Sequence, residues 1–207
     1  MPQVPRRDEN VRIADFYERR VARFGVSPHA LDWGSRFSQE KRFEVLSEID
    51  DLSGRSVLDV GCGQADLFAF LESRGISAAY TGYDISPAVI ESARRRFPGL
   101  ELELVDLIAD HVAYPQFDYV VASGIFHLRP MGAYAYLESM VRQMYRCCRL
   151  GVAFNSLSSR SHRIDTDKFV ADPATVLDMC FDITSNVVVR HDYMPHDFTV
   201  YLYRDAK

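Results

Sequence analysis

The sequence predicts an α/β fold in which a doubly wound, seven-stranded mixed sheet follows an N-terminal helical cap. Short apolar runs alternate with helical segments from residue 56 onward, which is typical of parallel strands covered on both faces. No strand-like run occurs before residue 55. The last two apolar runs are separated only by a turn-rich segment, so they form a hairpin and one strand is antiparallel. We therefore assign residues 1–54 to the cap and residues 55–207 to one compact domain.

The cap contains two predicted helices. Apolar residues at spacings of three and four indicate a helix over residues 11–24, which ends at Gly25. A second helix begins at Ser38, a residue type that favours helix N-termini, and the polar turn at residues 51–55 closes it. These two helices precede the first predicted strand.

The remaining chain supplies the sheet and the helices that cover it. A chain of 207 residues can bury enough surface in such a core to fold without a metal or a disulfide. The predicted strands cover residues 56–60, 79–83, 101–105, 119–122, 152–155, 183–190 and 198–204, and the predicted helices cover residues 66–73, 87–97, 133–147 and 173–181.

Composition excludes several classes of function. A formal charge of −5 argues against a protein that coats nucleic acid, because that role needs cations to neutralise phosphates. The four cysteines show no metal-ligand spacing, and the adjacent Cys147 and Cys148 could bridge each other only under severe strain. Residues 1–10 lack the apolar core of a signal peptide, and no apolar run approaches the roughly 20 residues that a membrane span needs. We expect a reduced, cytoplasmic protein without a metal, a nucleic-acid partner or a membrane partner.

The loop after the first predicted strand has the pattern of a nucleotide-binding turn. Gly61 and Gly63 let the backbone turn sharply and approach a ligand where a side chain would clash. Asp84 ends the next strand, at about the 20-residue offset from which a carboxylate can accept hydrogen bonds from ribose. Asp59, Asp84 and Asp106 thus stand at the carboxyl ends of three successive strands, the edge where open α/β sheets bind ligands.

Taken in order, these segments resemble the class I S-adenosylmethionine-dependent methyltransferases. The resemblance covers about residues 56–204 and implies a Rossmann-like methyltransferase fold. One position departs from the family pattern, because Ala65 stands where a third glycine is usual. The matching segments are Leu58-Asp59-Val60-Gly61-Cys62-Gly63, Gly82-Tyr83-Asp84-Ile85-Ser86, Val105-Asp106-Leu107 and Phe117-Asp118-Tyr119-Val120-Val121-Ala122-Ser123.

The resemblance implies S-adenosylmethionine as cofactor and S-adenosylhomocysteine as product. The glycine turn would face the methionine part, Asp84 the ribose, and Asp106 with Leu107 the adenine. In the cap, the aromatic faces of Tyr17 and Trp33 can hold a sulfonium by cation–π attraction. The candidate cofactor-binding residues are Tyr17, Trp33, Asp59, Gly61, Cys62, Gly63, Gln64, Asp84, Ile85, Asp106, Leu107 and Ser123.

Two other functions stay open at this point. A nicotinamide-dependent oxidoreductase shares the strand–loop–helix pattern, but the charge of Asp66 would repel a pyrophosphate, whereas Asp59 and Asp66 suit a cationic ligand. A non-catalytic module that binds S-adenosylmethionine for regulation or assembly is compatible with Ala65 and with the absence of an unambiguous base.

The acceptor is predicted to be a small molecule, methylated on oxygen or nitrogen by in-line displacement. The segment after the fourth predicted strand lacks the Asn/Asp-Pro-Pro-aromatic pattern of methyltransferases that modify base amines. His127 follows that strand at the ligand edge, and His196 lies in the hairpin turn, so both are candidate bases. The candidate substrate-binding residues are Arg36, Phe37, Asn155, His191 and Tyr193.

Overall fold

The computed structural model of the protein describes residues 7–25, 27, 31, 34–110, 112, 116–128, 132–161 and 167–205, with side chains from residue 10 onward. The candidate cofactor residue Trp33 lies outside these residues. The strands are β1 (Ser56–Val60), β2 (Ala79–Asp84), β3 (Glu101–Leu104), β4 (Phe117–Ala122), β5 (Cys148–Leu157), β6 (Val187–Arg190) and β7 (Asp197–Tyr203). The helices are α1 (Arg7–Phe24), α2 (Arg36–Ser47), α3 (Asp66–Ser73), α4 (Pro87–Arg96), α5 (Ala133–Cys147) and α6 (Pro173–Phe181).

The strands form one seven-stranded sheet in the order β3-β2-β1-β4-β5-β7-β6. Neighbours pair in parallel from β3 to β5, and β7 runs antiparallel to both β5 and β6. This arrangement confirms the predicted mixed sheet with a hairpin at its end. The strand order reverses between β1 and β4, and ligands bind at the carboxyl ends of strands beside such a reversal.

Helices cover both faces of the sheet, which is why its central strands are mostly apolar. Along β4, Tyr119 and Val121 pack into one core cluster, whereas Val120 and Ala122 pack into the cluster on the opposite face. A strand buried on both faces reads as a continuous apolar run. The sequence pattern therefore located the parallel strands correctly.

Several elements differ from their predicted bounds, most of them by one or two residues, whereas α1 starts four residues before its predicted start and β6 starts four residues after it. The strand β5 starts at Cys148, directly after α5, because it pairs with β4 from its first residue and with β7 up to Leu157. The helix α2 begins at Arg36, since the Ser35 side chain accepts a hydrogen bond from the Ser38 backbone N–H and caps the helix. None of these differences in bounds alters the topology of the sheet.

The two cap helices pack on different parts of the domain. The helix α1 packs against α4, whereas α2 packs against α3, β5 and β7. Phe43 and Leu46 of α2 belong to the same buried cluster as Val57 and Tyr119 of the sheet. Among the described helices, none combines the length and the apolar character that a membrane crossing requires.

Candidate functional site

An open cleft of about 870 Å³ lies at the carboxyl ends of β1, β2 and β4. Ile13 and Tyr17 of α1 and Leu31 form its cap side, and apolar side chains such as Val105 and Met140 line its depth. The cleft brings together most of the candidate cofactor residues, namely Tyr17, Asp59, Gly61, Cys62, Gly63, Asp84, Ile85, Leu107 and Ser123.

The glycine turn forms the part of this cleft next to β1. Gly61 and Gly63 both have positive φ angles, 71° and 57°, a region that glycine adopts without steric penalty. The N–H groups of Gly61 and Cys62 donate to the carbonyl of Tyr83 at 2.7 and 2.9 Å, which ties the end of β1 to β2. A Cβ on Gly61 would lie 2.3 Å from Ile125 Cγ2, so the turn also needs glycine for space.

The position of the family's third glycine is occupied by a strained alanine. Ala65 is the N-cap of α3 and has φ 57°, and it is the one described non-glycine residue with a positive φ. A left-handed conformation costs a non-glycine residue about 1–2 kcal/mol. The positive φ shows that the turn keeps the conformation that a glycine would adopt, and the methyl group of Ala65 is fully buried.

Two hydrogen bonds from backbone N–H groups fix the Asp84 carboxylate at the carboxyl end of β2. Its Oδ2 accepts from Gly63 N–H at 3.0 Å, and its Oδ1 accepts from Ser86 N–H at 2.9 Å. Burial raises the pKa of this carboxyl, and the hydrogen bonds from Ser86 and Gly63 oppose that rise. Asp84 is therefore held in one orientation by the same turn that carries the glycines.

Asp59 and Asp66 have different electrostatic surroundings. Asp59 is 3% exposed, accepts a 2.7 Å hydrogen bond from the Tyr80 hydroxyl, and has a pKa raised by burial to about 7. Asp66 instead pairs with the guanidinium of Arg96 and accepts from Gln39 Nε2 at 2.9 Å. The repulsion expected between Asp66 and a pyrophosphate is thus offset by Arg96, which sequence reasoning missed.

Two candidate cofactor residues are directed elsewhere. Gln64 does not line the cleft; its Nε2 donates to the Gly25 carbonyl at 3.0 Å and to Ser92 Oγ at 3.1 Å. The Asp106 carboxylate also lies outside the lining and accepts from Asn10 Nδ2 at 2.5 Å. Asp106 thus ties the first turn of α1 to the domain, and Gln64 ties the residue that follows α1, roles that periodicity does not reveal.

A second cleft adjoins the first at the ends of β5 and β7, with an empty volume of about 1590 Å³ including its solvent-open part. Leu31 and Gly124 line both clefts. Of the candidate catalytic and substrate-binding residues, His127, His196 and Asn155 line it. Ser38 and Arg42 of α2 also line this cleft, and sequence reasoning did not place either residue there.

His127 is held by the backbone of the residue that the clefts share. Its Nδ1 lies 2.5 Å from the Gly124 carbonyl oxygen. Since a carbonyl can only accept, Nδ1 carries the proton of this hydrogen bond, and Nε2 is the basic nitrogen of the neutral ring. The geometry therefore selects one tautomer of His127.

A buried ion pair crosses the second cleft from the cap to the sheet. Arg42 Nε of α2 lies 2.5 Å from Asp197 Oδ2 of β7, with both side chains at most 8% exposed. The Tyr193 hydroxyl donates to Asp197 Oδ1 at 2.8 Å. Burial raises the pKa of Asp197, and the charge of Arg42 opposes that rise. Tyr193 thus orients this carboxylate and does not itself line the cleft.

Three other candidate substrate residues lie outside both linings. His191 Nε2 is 2.7 Å from Ser158 Oγ, and its ring stacks on Phe198. Arg36 pairs with Glu40 on the surface, and Phe37 is 76% exposed. Within the described ranges, no three His, Cys, Asp or Glu side chains are grouped as a metal-ligand set.

Comparison with known proteins decides the family. A model of the methyltransferase domain family matches residues 58–154. The protein named "Putative methyltransferase Rv1506c" of Mycobacterium tuberculosis is 34% identical over 152 residues, which cover 70% of this chain and 90% of that one. The chain belongs to the class I S-adenosylmethionine-dependent methyltransferases. The magnesium-protoporphyrin O-methyltransferase of Rhodobacter capsulatus is 33% identical over 147 residues, or 68% of this methyltransferase and 55% of that protein.

More distant curated relatives are matched only in part, and solved structures agree in fold. This methyltransferase spans 34% of the trans-aconitate 2-methyltransferase of Rhodococcus jostii, which is 35% identical over 88 residues, or 42% of this chain. One solved structure is the magnesium protoporphyrin IX methyltransferase of Synechocystis with bound S-adenosylmethionine, which superposes with a TM-score of 0.69. Its sequence is 16% identical, and the superposition covers 96% of this chain and 98% of that one. The [4+2]-cyclase SpnF superposes with a TM-score of 0.73 at 14% identity over 100% and 99% of the two chains. One fold therefore supports different chemistries, and the acceptor must be argued from the site.

Proposed function

We propose that this methyltransferase transfers a methyl group from S-adenosylmethionine to an oxygen or nitrogen of a small molecule bound in the second cleft. The observation that carries the proposal is the junction of the two clefts at Leu31 and Gly124. A cofactor and an acceptor bound in adjoining clefts can meet in line, which displacement at a methyl carbon requires.

The residues that line the first cleft suit the chemistry of S-adenosylmethionine. When bound, the cofactor supplies an electrophilic methyl group on a sulfonium. Asp84 would accept hydrogen bonds from the ribose hydroxyls, since its carboxylate is already oriented by Gly63 and Ser86. Ile85 and Leu107 would contact the adenine, and Asp59 would place negative charge near the cationic part.

His127 is the proposed general base. An alcohol or amine acceptor must lose a proton as its new bond to the methyl carbon forms. With Nδ1 donating to Gly124, the Nε2 of His127 would take that proton. The buried hydroxyl of Ser156 has no hydrogen-bond partner among the described residues, so it is available to bind the acceptor.

A second candidate acceptor is a carboxylic acid. The described part of the second cleft is lined by the cationic side chains of Arg42 and Lys168 and by a single acidic one, Asp197. Some curated relatives bear names of acid acceptors, including trans-aconitate and a fatty acid. An ionised carboxylate needs no base, so this acceptor class makes His127 dispensable for proton removal.

The test is formation of S-adenosylhomocysteine, measured by mass spectrometry with panels of alcohols, phenols, amines and carboxylic acids. Turnover of an alcohol or amine that falls at least a hundredfold in His127→Ala supports the proposed base. Turnover of an acid that survives this substitution selects the second candidate. His191→Ala is the matched control, because that histidine lines neither cleft. If the protein binds S-adenosylhomocysteine but methylates no acceptor in any of the panels, the result contradicts the proposal and supports a non-catalytic module.

A further inference from the structure

Asn155 bridges the end of β5 to the loop that follows β4. Its side chain is almost completely buried, with 1% of the residue exposed. Its Oδ1 accepts from Gly124 N–H at 2.9 Å, and its Nδ2 donates to Ser123 Oγ at 2.9 Å. Both ends of the amide are thus engaged by consecutive residues of one loop.

These two loop residues sit where the clefts meet. Ser123 lines the first cleft, and Gly124 lines both. Gly124 has a φ of 72°, a conformation in the left-handed region that glycine enters without steric penalty. Such a residue has little intrinsic preference for one orientation, so a hydrogen bond to its N–H limits how it can turn.

The carbonyl of the same glycine fixes the histidine. Gly124 donates its N–H to Asn155 and accepts the Nδ1–H of His127 at 2.5 Å. The orientation of the carbonyl depends on the torsion angles of Gly124, which the bond to Asn155 restrains. A continuous chain of hydrogen bonds therefore runs from Asn155 through Gly124 to His127.

We propose that Asn155 is a positioning residue that fixes the orientation and tautomer of His127 through the backbone of Gly124. The catalytic importance of this role rests on the proposed function, in which His127 is the base. The role differs from the substrate contact expected from the sequence. It also differs from a purely structural tie between β4 and β5, which would leave the histidine ring unchanged.

The first experiment measures the tautomer of His127 without an acceptor. In protein labelled with ¹⁵N-histidine, long-range ¹H–¹⁵N spectra report which ring nitrogen carries the proton. We expect the Nδ1–H form in the wild type and a ratio of Nδ1–H to Nε2–H lowered at least about fivefold in Asn155→Ala, the effect of losing one hydrogen bond. In Ser123→Ala, which removes only the other contact of the amide, the ratio stays at the wild-type value. An unchanged ratio in a folded Asn155→Ala protein overturns the proposal.

Folding is checked in each variant by calorimetric titration with S-adenosylhomocysteine. If Asn155→Ala does not fold, Asn155→Leu takes its place, because leucine fills the volume of the amide and removes both hydrogen bonds. The same loss of the Nδ1–H form is expected in Asn155→Leu, and a wild-type ratio in that variant overturns the proposal equally.

A second experiment uses an acceptor that the panels identify. Asn155→Ala should lower kcat by at least tenfold with little change in the KM of S-adenosylmethionine. In a His127→Ala background it should have no further effect, because the two residues act as one unit. Additive losses in the double variant overturn the coupling. A normal rate in His127→Ala alone refutes the proposed base but leaves the tautomer measurement as an independent test of Asn155.

Discussion

The carboxyl group of Asp59 makes the stability of this methyltransferase depend on pH. It is buried at the first cleft and accepts a hydrogen bond from Tyr80, and its pKa rises to about 7 from an ordinary value of 3.8. Asp84, Asp66 and Cys62 also face it, and the charges of the two aspartates add to the rise. Burial is the largest cause, since a low-dielectric site disfavours the charged form.

The sign of the effect follows from proton binding. The folded protein holds the Asp59 proton more tightly than the unfolded chain, so this group's contribution is fully present below about pH 4 and is lost as the pH rises to about 7. One pKa unit is worth 1.36 kcal/mol, so the rise in the pKa of Asp59 from 3.8 to about 7 contributes at most about 4 kcal/mol to the free energy of unfolding. Above pH 7 the contribution is constant.

Asp59→Asn should remove this dependence. The asparagine is neutral at every pH, and its carbonyl oxygen can still accept from the Tyr80 hydroxyl. Urea unfolding from pH 4 to pH 8 should therefore show the variant gaining up to about 4 kcal/mol relative to the wild type across the window, while other titrating groups cancel in the comparison.

A neighbouring substitution gives the matched control. Tyr80→Phe removes the hydroxyl that stabilises the ionised form of Asp59, so the midpoint of the pH dependence should move above 7. A ¹³C titration of the Asp59 carboxyl should follow the same shift. A difference in stability between the wild type and Asp59→Asn that is constant from pH 4 to pH 8 would refute the reasoning.

Three further substitutions test the two clefts. Asp84→Ala should lower the affinity for S-adenosylhomocysteine at least about tenfold, or about 1.4 kcal/mol, by calorimetry, and unchanged affinity in the folded variant would remove Asp84 from the ribose site. Gly61→Ala should destabilise the protein more than Gly75→Ala in urea unfolding, because both glycines have a φ near 72° but only the Cβ at Gly61 meets a neighbouring atom; equal effects would show that the close approach is unimportant. Arg42→Met should lower the free energy of unfolding by about 3–5 kcal/mol in urea, because it leaves Asp197 buried without its charge partner. Adding Asp197→Leu to the same chain should recover much of this loss. A double variant as unstable as Arg42→Met would contradict this account.

The fold was largely predictable because its strands and helices have recognisable local sequence patterns. The alternation of apolar runs and helical segments located all seven strands, and the turn-rich break at Pro195 identified the hairpin. The bounds of β5 were not predictable in the same way. Its first residues gain their strand conformation from pairing with β4, where Cys148 lies opposite Phe117, and such long-range contacts leave no periodic signal over a few residues.

The grouping of residues in the first cleft was also largely predictable from the sequence, since many of them come from loops that directly follow strands. Asp84 and the glycine turn could be placed at the sheet edge by counting from the strand ends. The second cleft depends on contacts between distant segments. Arg42 and Asp197 are 155 positions apart, and nothing local to either residue indicates a buried pair. Gln64 shows the converse case, in which a motif position is occupied by a side chain directed to the cap.

The difference between the two clefts follows from how the cap helices are attached. The helix α1 contributes Tyr17 to the first cleft, whereas α2 contributes Gln39 and Phe43 to the first cleft and Arg42, paired with Asp197, to the second. Because that ion pair is buried, breaking it would destabilise the packing of α2 on β7 beside the second cleft. Substitution of Arg42, which lies on the part of α2 that lines the second cleft, can therefore change that cleft while the glycine turn and Asp84 stay in place. This separation explains why motifs along the strands reveal the cofactor of this methyltransferase and leave its acceptor to be found by experiment.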